Sequence, residues 1–99
     1  MMVQLKIERT DQGFELEGEL DMATASDLAE ALRGTGTGEP VHLDFSGISF
    51  MDSSGLRVIL EAASERNGGG LVILHPAPQV QRVLDISIPG GTPGLEVRP

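Results

Sequence analysis

The residue types that could do chemistry are gathered in one short stretch, Asp52-Ser53-Ser54-Gly55, which lies directly before an apolar run with helical spacing. A serine there commonly satisfies a free N–H at a helix start, so a capping role for Ser53 or Ser54 is the plain interpretation. The same hydroxyl could carry a phosphoryl group, because the free amides and the positive end of the helix dipole favour an anion. The stretch therefore allows two roles, a helix cap and a modified serine.

A serine hydrolase is disfavoured, although Ser53, Asp52, His42 and His75 supply the residue types of a catalytic triad. The chain lacks the Gly-x-Ser-x-Gly turn, and the adjacency of Asp52 and Ser53 does not by itself produce an ordered acid, base and nucleophile relay. Two distant histidines without cysteine make a poor metal site. We therefore predict no catalytic residue, no metal and no cofactor.

Hydrophobic periodicity predicts the elements at the start of the chain. Apolar residues alternate with polar ones in residues 3–8 and 14–20, which predicts an antiparallel hairpin. The apolar spacing then becomes helical. We predict a first helix with Thr24 as its N-cap, Asp27 in a position like that of a capping box, and Gly34 as its stop.

The second half repeats strand and helix in alternation. Residues 41–45 predict a strand, the apolar run after "DSSG" a second helix, and the continuous apolar run 71–74 a strand buried on both faces. Residues 76–86 predict a third helix, and 95–97 a short final strand. The order β-β-α-β-α-β-α-β predicts an α/β fold, a mixed sheet with helices packed against it.

Length and composition indicate one domain over residues 1–99, in which 89–99 is a Pro/Gly-rich tail with the short final strand. The formal net charge is -8, and residues before Ser53 hold 11 acidic against three basic side chains. Nucleic-acid binding is therefore disfavoured, because phosphates are bound through clustered Lys and Arg, and we predict no nucleic-acid partner. The lack of cysteine and of any long apolar stretch favours a soluble, cytoplasmic protein without a membrane role.

Two motifs together resemble a known family. "GELDMATA", residues 18–25, and "VHLDFSGISFMDSSGL", residues 41–56, are similar to the STAS-domain anti-sigma-factor antagonists of bacteria. The resemblance covers residues 3 to about 86 in matching element order and implies a single STAS domain. Members of the family usually continue into a closing amphipathic helix, whereas this sequence ends at "GLEVRP" after a Pro/Gly-rich loop.

The resemblance implies a partner-switching phosphoprotein. Ser53 would be phosphorylated by a cognate anti-sigma factor that is a serine kinase, and a PP2C-type phosphatase would reset it. The unphosphorylated antagonist would bind the anti-sigma factor and release a sigma factor. Asp21, Asp52, Ser54 and Gly55 would join Ser53 in the partner surface, and ATP would belong to the kinase.

Three points stay open from the sequence. Asp21 could serve only turn chemistry, by accepting hydrogen bonds from nearby backbone N–H groups, and nothing local decides whether it meets Ser53. A STAS module that acts as a scaffold or small-ligand binder, with "DSSG" only as a cap, is the alternative function. The oligomeric state is not determined by the sequence.

Overall fold

Strand and helix follow one another in the predicted order. The computed structural model describes residues 4–36, 38–66 and 70–99, and within them five strands and three helices confirm the predicted mixed α/β architecture. Their bounds are Leu5–Arg9 for β1, Gly13–Leu20 for β2, Ala25–Arg33 for α1, Val41–Met51 for β3, Ser53–Glu65 for α2, Leu71–Leu74 for β4, Pro78–Ser87 for α3 and Leu95–Arg98 for β5.

The sheet has the order β1-β2-β3-β4-β5, so each strand pairs with its neighbours in sequence. β1 and β2 are antiparallel, as the short turn between them requires, and the other pairs are parallel. α1, α2 and α3 make the crossovers that parallel pairing needs. The carboxyl ends of β2 and β3 therefore lie side by side.

β3 is longer than predicted, because the alternating pattern that defines a strand in sequence stops at Phe45. Two register shifts against β2 each add one residue to β3, one between Asp44 and Gly47 and one between Ile48 and Phe50. The buried side chains of this part of β3 are consequently three residues apart, at Phe45, Ile48 and Met51. The prediction that the strand ends at residue 45 is wrong for this reason.

The predicted cap of α1 is also wrong in its chemistry. Thr24 occupies the N-cap position, but its side chain makes no capping hydrogen bond, so the expected capping box with Asp27 does not form. The Thr24 hydroxyl instead donates to the Glu19 carbonyl at 2.8 Å and accepts from the Asp21 N–H at 3.0 Å. Gly34 ends the helix as predicted.

The core is aliphatic and lies between the sheet and the helices. β4 contributes buried residues on both of its faces, as its continuous apolar run predicts. The largest fully buried side chains are Phe45, Leu20, Leu28, Leu43, Ile48, Met51, Ile59, Leu71, Ile73, Leu84 and Val80. In the described residues, no helix is long and apolar enough to cross a membrane.

The other face of β1 and β2 is exposed and acidic. Glu15, Glu17 and Glu19 alternate with the core positions of β2 and remain exposed. Glu8 lies on the same face, with a carboxylate oxygen 2.8 Å from the Lys6 ammonium nitrogen. The hydrogen bond to Glu8, with its charge, raises the pKa of Lys6. The acidic excess of the first half of the chain is thus partly a property of this sheet face.

Arg66, the residue after α2, is buried. It lies at the end of the domain opposite to the carboxyl ends of β2 and β3, and its hydrogen bonds connect several segments there. Its guanidinium donates to the Gly70 carbonyl at 3.0 Å and to the Thr35 hydroxyl at 2.7 Å. It also donates to the carbonyls of Gly36 and Glu39 between α1 and β3. One planar group therefore links the end of α2 to Gly70, which precedes β4, and to described residues between α1 and β3, and all of these acceptors are uncharged.

We expect Arg66→Met to lower the free energy of unfolding by about 2 to 4 kcal/mol, since the buried Gly70 carbonyl and three half-buried acceptors would lose their donor. Arg66→Lys should recover little, because an ammonium lacks the planar set of donors. Urea unfolding measures the change. The matched control is Arg57→Met on the exposed side of α2, for which we expect a change below about 0.5 kcal/mol. Equal effects of the Arg66 and Arg57 substitutions would contradict this account.

Candidate functional site

The two sequence motifs meet where β2 and β3 end. Leu20 and Met51 are paired in the parallel register, and the Asp52 N–H donates to the Leu20 carbonyl at 3.2 Å. Asp21 and Asp52 therefore each follow a strand end at the same edge of the sheet. Crevices outside the carboxyl ends of parallel strands are the usual binding positions of open α/β sheets. The sequence alone did not decide whether the two motifs lie together. The register of β2 with β3 brings them to the same edge.

Asp52, not a serine, is the N-cap of α2. Its backbone is extended, and its carboxylate Oδ1 accepts from the Ser54 N–H at 2.8 Å and from the Gly55 N–H at 3.3 Å. The predicted capping role of Ser53 or Ser54 is therefore wrong. A carboxylate at this position also complements the positive end of the helix dipole.

Ser53 is the first residue of α2 and is exposed, whereas Ser54 is half-buried. Because Asp52 supplies the cap, the Ser53 hydroxyl has no capping role. The two serines thus differ in accessibility although they are neighbours in sequence. A group transferred to this edge would reach Ser53 more readily.

Gly55 is buried where the first turn of α2 crosses the end of β2. A Cβ atom at this position would lie 2.6 Å from Leu20 Cγ and 2.8 Å from the Leu20 carbonyl oxygen. The glycine therefore allows the helix start to approach the strand directly. Its contribution to the site is close packing, and its buried position leaves it little surface for a partner.

Asp21 organises the turn between β2 and α1. Its Oδ1 accepts from the Ala23 N–H at 2.9 Å and from the Thr24 N–H at 3.2 Å. Its own N–H donates to the Thr24 hydroxyl at 3.0 Å. The predicted turn chemistry of Asp21 is confirmed, and the same residue lies at the edge where α2 begins.

Gln79 is a site residue that sequence reasoning missed. From the first turn of α3, its side-chain amide accepts from the Met51 N–H at 3.0 Å and donates to the Met51 carbonyl at 3.1 Å. The last residue of β3 is therefore paired with β2 and also held by α3. No local signal marks this glutamine, because its partner lies 28 residues away.

The two histidines lie away from "DSSG". His42 is the second residue of β3, at the opposite end of the strand from Asp52. His75 follows Leu74, which is level with Asp44 in the register and so well before the end of β3. In residues 4–36, 38–66 and 70–99, no three or more His, Cys, Asp or Glu side chains are grouped so that they could hold a metal ion.

The chain is similar to known proteins over most of its length. The family model described as "Mlab, STAS domain" matches residues 3–87. An anti-sigma-B factor antagonist of Staphylococcus epidermidis is 36% identical over 75 residues, which are 71% of this chain and 68% of that protein.

Solved structures give the same result for the fold. An anti-sigma factor antagonist from Mycobacterium paratuberculosis superposes with a TM-score of 0.75 at 22% identity, covering 93% of this chain and 83% of the other. SpoIIAA in its unphosphorylated form gives 0.68 at 27% identity, with 94% and 86% covered. The phosphorylated form of this Bacillus cell fate determinant gives 0.64 at 25% identity, with 94% and 89% covered.

We expect Asp52→Ala to lower the free energy of unfolding by about 1 kcal/mol, because two N–H groups at the start of α2 lose their acceptor. Ser53→Ala should change it by less than about 0.5 kcal/mol, since this hydroxyl does not cap the helix. Chemical denaturation of both variants measures the difference, with Asp52→Asn as a control that keeps the acceptor. A larger loss in Ser53→Ala than in Asp52→Ala would contradict the assignment of the cap.

Proposed function

Because this chain belongs to the STAS domain family, we propose that it is an anti-sigma-factor antagonist whose partner binding is switched by phosphorylation of Ser53. The observation that carries the proposal is the exposed Ser53 at the start of α2, with capping done by Asp52. The similarity to SpoIIAA, known in unphosphorylated and phosphorylated forms, supports it.

The chain acts as an acceptor in this proposal. The Ser53 Oγ attacks the γ-phosphorus of ATP held by the anti-sigma factor, which is a serine kinase. The hydroxyl proton passes to a general base of the kinase, the bond from the γ-phosphorus to the bridging oxygen breaks, and ADP leaves. A PP2C-type phosphatase transfers the phosphoryl group to water and restores the serine. The exchange takes place in the cytoplasm, where sigma factors act. ATP and the catalytic groups belong to the partner enzymes.

Charge at the sheet edge gives the switch its mechanism. Phosphoserine adds about -1.5 to -2 charge at neutral pH, next to the carboxylates of Asp21 and Asp52. At an assumed separation of about 7 Å, two charges repel one carboxylate by about 1 to 5 kcal/mol for dielectric constants between about 80 and about 20. A hundredfold loss of affinity corresponds to about 2.7 kcal/mol. The free chain experiences this repulsion as well, so affinity falls only by the increase that occurs when a bound partner excludes water from the edge. Between the two dielectric constants that increase is about 4 kcal/mol, which is sufficient.

The fold tolerates the phosphorylated form in this mechanism. The phosphoryl group would lie at the N-terminus of α2, where N–H groups and the helix dipole favour an anion. Its charge acts on the bound partner, and the sheet keeps its register. Phosphorylation accordingly changes a surface and leaves the architecture in place.

We expect a kinase-type anti-sigma factor from the chain's own source, with ATP, to add one phosphoryl group to the wild-type chain and to Ser54→Ala. Ser53→Ala should remain unmodified, because it lacks the exposed hydroxyl. Intact-mass spectrometry with fragment mapping identifies the site. Modification of Ser53→Ala together with loss of modification in Ser54→Ala would refute the assignment.

The alternative function is a constitutive scaffold or small-ligand binder. Comparing the affinities of the uncharged and charged forms of Ser53 distinguishes it from the switch. A scaffold binds its partner equally well when Ser53 carries a negative charge. Titration calorimetry with wild type, phosphorylated wild type and Ser53→Asp makes this comparison. Weaker binding of the charged forms supports the switch, and equal affinities support the scaffold.

A further inference from the structure

β4 covers only the first part of β3, and the rest of that edge of β3 has no strand beside it. The register pairs β3 with β4 from Val41 to Asp44, where β4 ends at Leu74. β3 continues beyond Asp44 to Met51, and in the described part of the chain no other strand lies on this side. Buried backbone N–H and C=O groups need hydrogen-bond partners, so the end of β3 needs a partner of another kind.

A side chain of α3 provides that partner. The Gln79 amide accepts from the Met51 N–H at 3.0 Å and donates to the Met51 carbonyl at 3.1 Å. A carboxamide has the donor and the acceptor of a peptide unit, so it can bond a strand residue as a neighbouring strand would. The next residue of α3, Val80, is fully buried, so the backbone that carries Gln79 is anchored in the core.

These two hydrogen bonds act close to Ser53. On the other side of β3, Met51 is level with Leu20, and the Asp52 N–H donates to the Leu20 carbonyl at 3.2 Å. The end of β3 is therefore held from both sides, and only Asp52 separates Met51 from Ser53. The preceding part of β3 contains both register shifts, so its regular pairing alone does not fix where the strand ends. The contact with Gln79 supplies this missing constraint.

We infer that Gln79 is a positioning residue for phosphoryl transfer to Ser53. The inference rests on the proposed function. Phosphoryl transfer requires the attacking oxygen to lie in line with the γ-phosphorus, and its catalysis consists largely of positioning and electrostatic stabilisation. Gln79 acts through Met51: it fixes the end of β3, and with it the place at which α2 begins and presents the Ser53 hydroxyl.

A positioning role predicts slower transfer with little change in partner affinity. The test mixes the full chain with ATP and an excess of a kinase-type anti-sigma factor from its own source, and follows single turnovers by quenched intact-mass spectrometry at several kinase concentrations. We expect Gln79→Met, which loses both hydrogen bonds in a side chain of similar length, to lower the maximal rate constant about 10-fold. The half-saturating kinase concentration should change by less than about threefold. Gln79→Glu keeps the acceptor without the donor and should lower the maximal rate constant at least about threefold.

Two control variants on α3 separate positioning from stability. Gln81→Met removes the same amide from a side chain that donates to the Asp85 carboxylate within α3. Val83→Ala removes apolar packing against the core and destabilises the domain, but it leaves the hydrogen bonds of Met51 in place. Both controls should keep the maximal rate constant within about twofold of wild type. Urea unfolding of every variant measures its stability.

Each outcome bears on the inference or on the proposal under it. Absence of phosphorylation in the wild type overturns both. A phosphorylated wild type together with wild-type rates in Gln79→Met and Gln79→Glu overturns the positioning role and leaves the proposed function standing. The positioning role is also wrong if Val83→Ala slows transfer as much as Gln79→Met, or if the Gln79 variants change only the half-saturating concentration. Should Gln79→Met not fold, a wild-type rate in Gln79→Glu alone overturns the inference.

Discussion

The parallel pairing of β2 with β3 is the constraint on which the site depends, and the hydrogen bond from the Asp52 N–H to the Leu20 carbonyl is its last member. This pairing places the last residues of β2 and β3, Leu20 and Met51, side by side. Asp21 and Asp52 lie together because they follow this pair, and α2 begins against β2 because Gly55 leaves room for Leu20. Without this register the two motifs would be separate loops.

The cap of α2 is made by Asp52, which leaves the neighbouring Ser53 without a capping task. Asp52 holds the helix N–H groups, Gly55 permits the close approach and Gln79 fixes the preceding strand residue. These tasks leave the exposed Ser53 hydroxyl free of any capping role. A modifiable residue at a helix start is compatible with a stable fold when the residues beside it perform the capping and packing.

Hydrophobic periodicity was sufficient to predict the elements and their order, since the strands alternate with period two and the helices carry apolar stripes. Periodicity did not predict the features that depend on contacts between distant parts of the chain. Asp and Ser cap helices about equally well, so local preference could not distinguish Asp52 from Ser53. Asp52 is the cap because β3 ends at Met51, directly before it. The bulges hid the last part of β3, because Phe45, Ile48 and Met51 are not an alternating pattern. The contact of Gln79 with Met51 is invisible locally, since it joins distant parts of the chain.

The arginine at the far end of the sheet bears on how freely this fold can change its sequence. Of the four acceptors of Arg66 in the described residues, three are main-chain carbonyls, and the fourth is the Thr35 hydroxyl. A carbonyl is present whatever residue occupies the position, so the clamp places a demand on the identity of only two side chains. Gly36 and Glu39 can therefore be replaced with these hydrogen bonds kept, whereas Gly70 is constrained separately by its φ of +77° and by the Gly94 carbonyl oxygen, 2.7 Å from where a Cβ would lie. Tolerance of this kind is one physical route by which a small domain can retain its architecture at low sequence identity.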